Sequence, residues 1–402
     1  MSEPLLEYLD DRLDAAWMPF GPPVPSDGGG EQTIRVAQHY GAFELEYAAL
    51  RRSVGVVHAP WRAALRLEGP DAAEFLHRIC TQDVLSMAPD QVRPALLLDA
   101  RGHILAEFLV HRDAEGCTAW VDRFDLEMLR TELDRRLFAE QVELRTPASD
   151  AFLLAGPAAA SALAQACEAV RHDPQDDSAD HDDGPGPLSP DRAAHRVIGG
   201  VPVTLLEQAD GGDEPLHWVG VIAADTDASL RVMRALLDAA GLDPDRPHAE
   251  PGEADAQRRR QTLRGTASGW DAFNTWRVET GRAMFHLDYG TDSLPAEAHR
   301  VASHISLTKG CFAGQEAVAR MHNLGHPKKL VVRLDLDRGT PPATGADVTV
   351  GGKVVGAVTS SAASPLRGQS PVALATVRWG QHEPETELEV GGVRAVVRTM
   401  PD

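Results

Sequence analysis

The sequence has few cysteines and no long apolar run, and each shortage excludes a class of protein. Among its 402 residues are four cysteines, Cys80, Cys117, Cys167 and Cys311, without a Cys-x-x-Cys pair. This spacing fits neither a disulfide framework nor a four-cysteine zinc or iron–sulfur site, and it indicates a reducing cytoplasm. No run approaches the roughly 20 apolar residues of a membrane span, and the acidic N-terminal stretch is not typical of a signal peptide. We expect a soluble, cytoplasmic protein without a membrane partner.

Positive charge is also scarce. The formal net charge is −21, and only four of the 39 basic residues are lysines. Sequence-independent binding to nucleic acid needs a basic face, so direct nucleic-acid binding is not expected. The length exceeds that of one ordinary domain and predicts two or three.

Several familiar catalytic and cofactor motifs are missing as well. The sequence contains no Gly-x-x-x-x-Gly-Lys-Ser/Thr, no His-Glu-x-x-His and no Gly-x-Ser-x-Gly, and no Gly-x-Gly-x-x-Gly follows a strand. His322 and His326 stand at helical spacing, with His299 and His304 nearby, but a glycine and a proline interrupt the helix there. The sequence therefore predicts no metal site.

One short segment concentrates reactive side chains, Lys309-Gly-Cys-Phe-Ala-Gly-Gln-Glu-Ala-Val-Ala-Arg320. Its glycines predict a tight turn, because glycine adopts φ > 0 without strain, and the run from Gln315 onward favours a helix. The segment should thus lead into a helix N-terminus, which favours an anion. Cys311, two residues from Lys309, is predicted to be a reactive thiolate. The alternative is an ordinary turn with a partly buried cysteine.

Composition predicts three parts of the chain. Residues 1–32 form an N-terminal helix followed by a Pro/Gly-rich linker, and residues 33–327 mix strands and helices without the regular alternation of a doubly wound fold. Within them, residues 172–191 are rich in Asp, Pro, Gly and Ser and predict a disordered acidic loop. Residues 328–402 contain short strands separated by Gly-rich turns, which predict a separate β-barrel domain. The predicted fold class is α+β.

Three segments, taken in order, resemble one known family. They are Tyr47–Val84 with its Leu-Arg-Leu-Glu-Gly-Pro-Asp stretch, the Arg277-Val-Glu-Thr-Gly281 motif followed by Leu294-Pro-Ala-Glu297, and Thr308–Glu316 with Arg320. Together they resemble the folate-binding family that includes the T-protein, or aminomethyltransferase, of the glycine cleavage system. The Lys-Gly-Cys-Phe-x-Gly-Gln-Glu form of the third resembles the YgfZ branch, which is tied to iron–sulfur protein maintenance. The resemblance covers roughly Arg35 to Trp379.

This resemblance implies a three-part, ring-like α+β fold with mixed and antiparallel sheets, a C-terminal β-barrel and tetrahydrofolate in a central channel. In that family the glutamate of the Arg-x-Glu-x-Gly motif binds the pterin, which implies this role for Glu279, beside Arg277. A carboxylate can accept two parallel N–H bonds from the pterin edge; the alternative is an ordinary helical Arg/Glu pair. Gln315, Glu316 and Arg320 are further candidates for folate contacts, Arg320 for the glutamate tail.

One departure from the family concerns its catalytic carboxylates. T-protein relatives carry an Asp-Asp pair, one member of which works near folate N5, where this chain has Ala106 and Glu107. Glu107 keeps a carboxylate, shifted by one methylene, but the pair is lost. Acid–base chemistry and transfer geometry tolerate little misplacement, so aminomethyl transfer from a lipoyl carrier is not expected.

The leading hypothesis is a tetrahydrofolate-binding protein that supports iron–sulfur cluster assembly or repair, with Cys311 as its reactive thiol. Its partners would be folate and iron–sulfur proteins or their assembly factors. The alternative is a folate-dependent one-carbon (aminomethyl) transferase or demethylase with Glu107 as its acid. A third hypothesis is a non-catalytic scaffold that keeps the fold without the ligand.

Overall fold

The computed structural model describes residues 2–25, 29–168, 193–208, 215–222, 225–245 and 265–400. The acidic loop predicted over residues 172–191 lies outside them. The helices of the described residues are α1 (Glu3–Asp11), α2 (Phe43–Arg52), α3 (Ala72–Ile79), α4 (Leu126–Asp134), α5 (Ala159–Ala166), α6 (Ala228–Ala239), α7 (Trp270–Glu279), α8 (Val301–His304) and α9 (Gln315–Leu324). In this part of the chain no helix has the length and apolarity needed to cross a membrane.

A five-stranded antiparallel sheet follows the N-terminal elements. In spatial order its strands are β5 (Gln91–Leu98), β6 (Ile104–Arg112), β7 (Gly116–Asp122), β4 (Arg62–Glu68) and β8 (Glu143–Arg145). Residues 99–102 close the β5–β6 hairpin, as their turn sequence predicts. One face of this sheet is covered by α3 and α4, whose apolar side chains are buried against it.

The second large sheet has seven strands, which come before and after those of the five-stranded sheet in the sequence. In spatial order its strands are β10 (Cys167–Glu168), β11 (Ala193–Ile198), β12 (Val201–Gln208), β13 (Leu216–Ile222), β9 (Ser149–Ala155), β3 (Gly55–His58) and β14 (Thr266–Ala267). The pairing of β14 with β3 is parallel and the others are antiparallel. Since β4 to β8 lie between β3 and β9 in the chain, the two sheets are interleaved.

The C-terminal part forms a closed six-stranded barrel. Its strands are β15 (Lys329–Leu336), β18 (Ser370–Arg378), β17 (Lys353–Ser364), β16 (Asp347–Val350), β19 (Glu387–Val390) and β20 (Val393–Arg398). Alternate residues of these strands face the interior, where valine and leucine side chains fill it. The predicted α+β class with mixed and antiparallel sheets and a C-terminal barrel is confirmed. The domain boundaries at residues 32/33 and 327/328 stay a prediction.

The prediction of a Pro/Gly-rich linker after the N-terminal helix is wrong. Helix α1 ends at Asp11, and the Pro-rich segment after it is strand β1 (Ala16–Pro25), paired with β2 (Glu31–His39). Prolines are tolerated there because a two-stranded ribbon has free edges and the register shifts between Phe20 and Val24. Phe20 is buried against the rings of Trp61 and Trp270. Burial of such a side chain contributes about 1.5–3 kcal/mol, which holds the ribbon on the core.

Candidate functional site

A cleft lies between the two large sheets and the segment that follows α7. About 70 Å³ of it can hold the centre of a water molecule, and the whole open volume, including the part in contact with solvent, is about 690 Å³. Aromatic side chains line it, those of Trp61, Trp218, Phe273 and Phe285. Flat apolar walls of this kind, with a few polar groups between them, are typical of small-molecule sites.

The charge of the cleft differs from the charge of the chain. Four arginines line it, Arg62, Arg277, Arg282 and Arg300, against two carboxylates, Glu107 and Asp122. The chain as a whole has a formal net charge of −21. A surplus of arginine inside an acidic protein indicates a ligand with negative groups, since guanidinium pairs with carboxylate or phosphate in a bidentate geometry.

Strand β6 presents Glu107 to the cleft and Ala106 to the opposite side. Ala106 is fully buried in the core under the five-stranded sheet, whereas Glu107 lines the cleft. Successive side chains of a strand point to opposite faces. Of the two positions that match the family's carboxylate pair, Glu107 alone can therefore act in the cleft.

Three groups surround the Glu107 carboxylate. Arg300 Nε lies 3.5 Å from Oε2 and His304 Nε2 lies 3.4 Å from Oε1, while the Tyr289 hydroxyl donates a hydrogen bond to Oε2. Burial raises the pKa of Glu107, but Arg300 and His304 outweigh burial and hold the pKa well below its usual range. Glu107 is thus a carboxylate at neutral pH. This ionisation argues against the predicted role as a general acid and favours a role as hydrogen-bond acceptor or counter-ion.

Glu279 ends helix α7 with an incomplete set of hydrogen bonds. Its Oε2 accepts a bond of 2.6 Å from the Tyr47 hydroxyl, whereas its buried Oε1 accepts none from the described residues. Gly281, which the sequence offers as a C-cap glycine, closes the helix at φ +76°, and the Arg282 N–H donates to the Arg277 carbonyl at 2.8 Å. Glu279 does not itself line the cleft, but Phe273 and Arg277 of the same helix do.

Arg277 lines the cleft, yet its two terminal nitrogens bind protein groups. Nη1 donates to Asp288 at 2.7 Å and Nη2 donates to Ser360 of β17 at 2.7 Å. Both members of the Arg277–Asp288 pair are inaccessible to solvent, and Thr359 donates a further hydrogen bond to Asp288. Arg277 therefore joins α7, the following loop and the barrel; its predicted contact with a cofactor stays a prediction.

The Lys309 ammonium binds backbone carbonyl oxygens of a neighbouring segment. It is buried and donates to the carbonyl oxygens of His77, Cys80 and Gln82, the latter two at 2.6 and 3.2 Å. These three acceptors match the three donors of an ammonium group. Lys309 thus fastens the motif to the loop after α3, and its predicted part in catalysis beside Cys311 stays a prediction.

The remaining motif residues lie near the surface. Cys311 is exposed, and α9 begins at Gln315, as predicted. Glu316 and Arg320 form an exposed i, i+4 ion pair at 2.8 Å. Neither lines the cleft, because both point to the solvent face of α9, so their predicted folate contacts gain no support from this geometry.

The motif packs closely against the β5–β6 hairpin, where Gly314 meets Gly102. Gly314, at φ +79°, precedes α9, and a Cβ there would come within 2.6 Å of the Asp99 carbonyl oxygen and 2.9 Å of Gly102 Cα. Gly310 was also expected at a tight turn, but its φ is not in the left-handed region and no atom lies within 4 Å of the position a Cβ would take there.

Replacing Gly314 by Ala should lower the free energy of unfolding by about 1–3 kcal/mol, from left-handed strain and the clash with Asp99. Gly310→Ala is the matched control and should change it by less than about 0.5 kcal/mol. Urea unfolding of both variants measures the difference. Equal stabilities would contradict the close approach of the motif to the hairpin.

Sequence reasoning missed four of the charged or polar groups in and around the cleft. Arg282, Tyr289, Arg300 and His304 lie in or beside the irregular segment between α7 and α9, whose residues follow no helical or strand period. Their concentration of charge in a loop was the available signal, since loops carried by a rigid scaffold often hold binding residues.

Comparison with known proteins identifies this architecture. The solved glycine cleavage system aminomethyltransferase T from Bartonella henselae superposes with a TM-score of 0.75 and 20% identity, over 98% of this chain and 96% of that one. Two interleaved sheets and a closed barrel thus define an α+β fold of the aminomethyltransferase T type.

Sequence similarity extends over the same length. Residues 31–177 match the GCVT N-terminal domain, and residues 328–400 match the glycine cleavage T-protein C-terminal barrel domain. A probable aminomethyltransferase of Natronomonas pharaonis is 26% identical over 93% of both chains. An aminomethyltransferase of Symbiobacterium thermophilum is 26% identical over 96% of this chain and 92% of its own. The chain belongs to the glycine cleavage T-protein family. These relatives do not distinguish the YgfZ-like branch.

Proposed function

We propose that the chain binds tetrahydrofolate in the cleft and catalyses one-carbon transfer of the aminomethyltransferase type. The observation that carries the proposal is the group of Arg62, Arg282 and Arg300 with Glu107 and Asp122 between aromatic walls, in a chain of net charge −21. A folate combines flat aromatic rings with an anionic tail, and these walls and arginines suit both ends. The relatives are aminomethyltransferases, which favours this activity over iron–sulfur maintenance. The sequence had suggested iron–sulfur maintenance as the leading hypothesis.

The residues present fit such a ligand at Glu279. Its Oε1 is buried without a donor among the described residues, and an unsatisfied buried acceptor costs about 1–3 kcal/mol. An N–H group of the pterin would supply the missing donor. Arginines of the cleft wall would hold the carboxylates of the tail.

Glu107 would act through its charge. Tetrahydrofolate, when bound, supplies the amine nitrogens that accept the one-carbon unit. Glu107 is ionised at neutral pH because Arg300 and His304 hold its pKa well below its usual range against the opposing effect of burial. A fixed carboxylate in a binding cleft stabilises positive charge that develops on a reacting amine. Tyr289, whose pKa burial raises well above its usual value, remains a hydrogen-bond donor to Glu107.

The test is product formation from an aminomethylated dihydrolipoyl donor. The reaction transfers the methylene carbon to tetrahydrofolate and releases ammonia and the free thiol, so methylene-tetrahydrofolate and ammonia should appear in equal amounts. Cys311→Ser should leave this rate within about twofold, because Cys311 lies on the exposed motif loop. Binding of tetrahydrofolate without product would reject the transfer reaction, and absence of binding would reject the whole proposal.

Iron–sulfur maintenance is the second candidate, because of Cys311. Of the four cysteines, Cys311 alone is exposed, and it stands in the motif that resembles the YgfZ branch. The loss of one family carboxylate at Ala106 also favours it. In this case Cys311→Ser should abolish support of iron–sulfur enzyme activity in cells while leaving folding and folate binding unchanged; retained support would reject the role of the thiol.

A further inference from the structure

A second group of polar side chains lies where the two large sheets meet, away from the proposed folate site. Asp90 immediately precedes β5, His111 lies on β6 and His195 lies on β11 of the other sheet. One ligand atom from each of the three lies within 4.8 Å of the other two. The proximity of β12 to β5 brings β11, and with it His195, to this edge.

Two of the three distances between the donor atoms are those of metal ligands. Asp90 Oδ1 lies 3.4 Å from His111 Nε2 and 3.4 Å from His195 Nε2. A tetrahedral Zn²⁺ ion with ligands at about 2.0–2.2 Å separates neighbouring ligands by roughly 3.3–3.5 Å. Hydrogen bonds between nitrogen and oxygen are usually shorter, about 2.7–3.2 Å. The two distances thus match the edges of a coordination tetrahedron better than direct hydrogen bonds.

We propose that Asp90, His111 and His195 bind a divalent transition-metal ion of the Zn²⁺ class. Two imidazoles and one carboxylate suit Zn²⁺ better than Mg²⁺ or Ca²⁺, which prefer oxygen ligands. Only the neutral form of histidine binds a metal.

The position of the site gives the metal a structural role. Glu107, Leu109 and His111 share one face of β6, since alternate residues of a strand point the same way. Glu107 and Leu109 line the cleft. His111 follows them on the same face of β6, next to Asp90 and His195. Ligands from both sheets would therefore be joined by the ion beside the cleft wall. The side chains of Asp90 and His195 are about half exposed, which leaves the fourth coordination position accessible to water.

Zinc titration of the chelator-treated full chain tests the proposal. In competition with a chromogenic chelator, the wild type should bind one equivalent, and His195→Ala should weaken binding at least 100-fold. His322→Ala, which removes an exposed histidine outside the group, is the matched control and should bind as the wild type does. Saturating zinc should raise the melting temperature of the wild type and the control but not of His195→Ala.

A second variant makes the result independent of one side chain. Asp90 has φ +61°, a conformation that asparagine tolerates, so Asp90→Asn keeps the backbone while weakening the oxygen ligand. It should lower zinc affinity without changing stability in chelator. Tetrahedral Co²⁺ absorption in the wild type, lost in both variants, would identify the geometry. Absence of wild-type binding, or equal losses in His195→Ala and His322→Ala, would overturn the site in favour of adventitious binding.

Discussion

Replacing Arg277 by Met should lower the free energy of unfolding by about 3–5 kcal/mol, because it leaves the buried carboxylate of Asp288 without its positively charged partner. Asp288 is inaccessible to solvent and pairs with Arg277 at 2.7 Å. Without the guanidinium, that carboxylate keeps the Thr359 hydroxyl and the Met284 N–H as donors, which do not neutralise its charge. Chemical denaturation followed by circular dichroism measures the effect.

An arginine on α9 provides the matched control. Arg320 forms an exposed ion pair with Glu316, and such pairs contribute at most about 1 kcal/mol. Arg320→Met should thus be nearly neutral. Adding Asp288→Asn to Arg277→Met should recover part of the lost stability by removing the unpaired charge. If both arginine variants were equally stable, Arg277 would not hold α7 against the barrel.

Replacing Glu279 by Gln should weaken tetrahydrofolate binding about tenfold to a hundredfold, because it removes a charged hydrogen-bond acceptor worth about 1.5–3 kcal/mol. The amide keeps the size of the side chain, and its oxygen can still accept a hydrogen bond from the Tyr47 hydroxyl. Its NH₂ group, however, would face the N–H donors of a pterin instead of accepting from them. Isothermal titration calorimetry gives the two affinities directly.

The control is Glu316→Gln, which changes the other glutamate that the sequence assigned to folate. Its side chain is exposed on α9, so binding should equal that of the wild type. Circular dichroism and melting temperature verify that both variants fold. Unchanged affinity in a folded Glu279→Gln protein would exclude Glu279 as the pterin ligand, and a loss in Glu316→Gln would place the ligand at the motif instead.

Local patterns in the sequence predicted much of the fold. Residues 99–102 close a hairpin, Gly281 ends α7 in the left-handed conformation, and α9 begins at Gln315. Each of these features depends on the conformational preferences of a few adjacent residues. The short strands and Gly-rich turns after residue 328 predicted the C-terminal barrel, which the fold confirms.

Local patterns failed where distant partners decide the outcome. The prolines of residues 19–25 suggested a linker, but Phe20 and Val24 are buried in the core and hold the segment as a strand. The burial of Lys309 was not predicted either: carbonyls at the end of α3 and in the loop after it bind its ammonium. Spacing along the chain contains no information about these partners.

The sequence by itself determined the class of the fold, the family and Glu107 as a candidate carboxylate. The tertiary structure alone decided which charged groups share the cleft and which histidines approach Asp90. The physical reason is that helices, turns and strands follow from local backbone preferences, whereas a site depends on side chains that distant segments bring together. Protonation is decided there as well, since Arg300 and His304 surround Glu107 only in the folded chain and keep its pKa low.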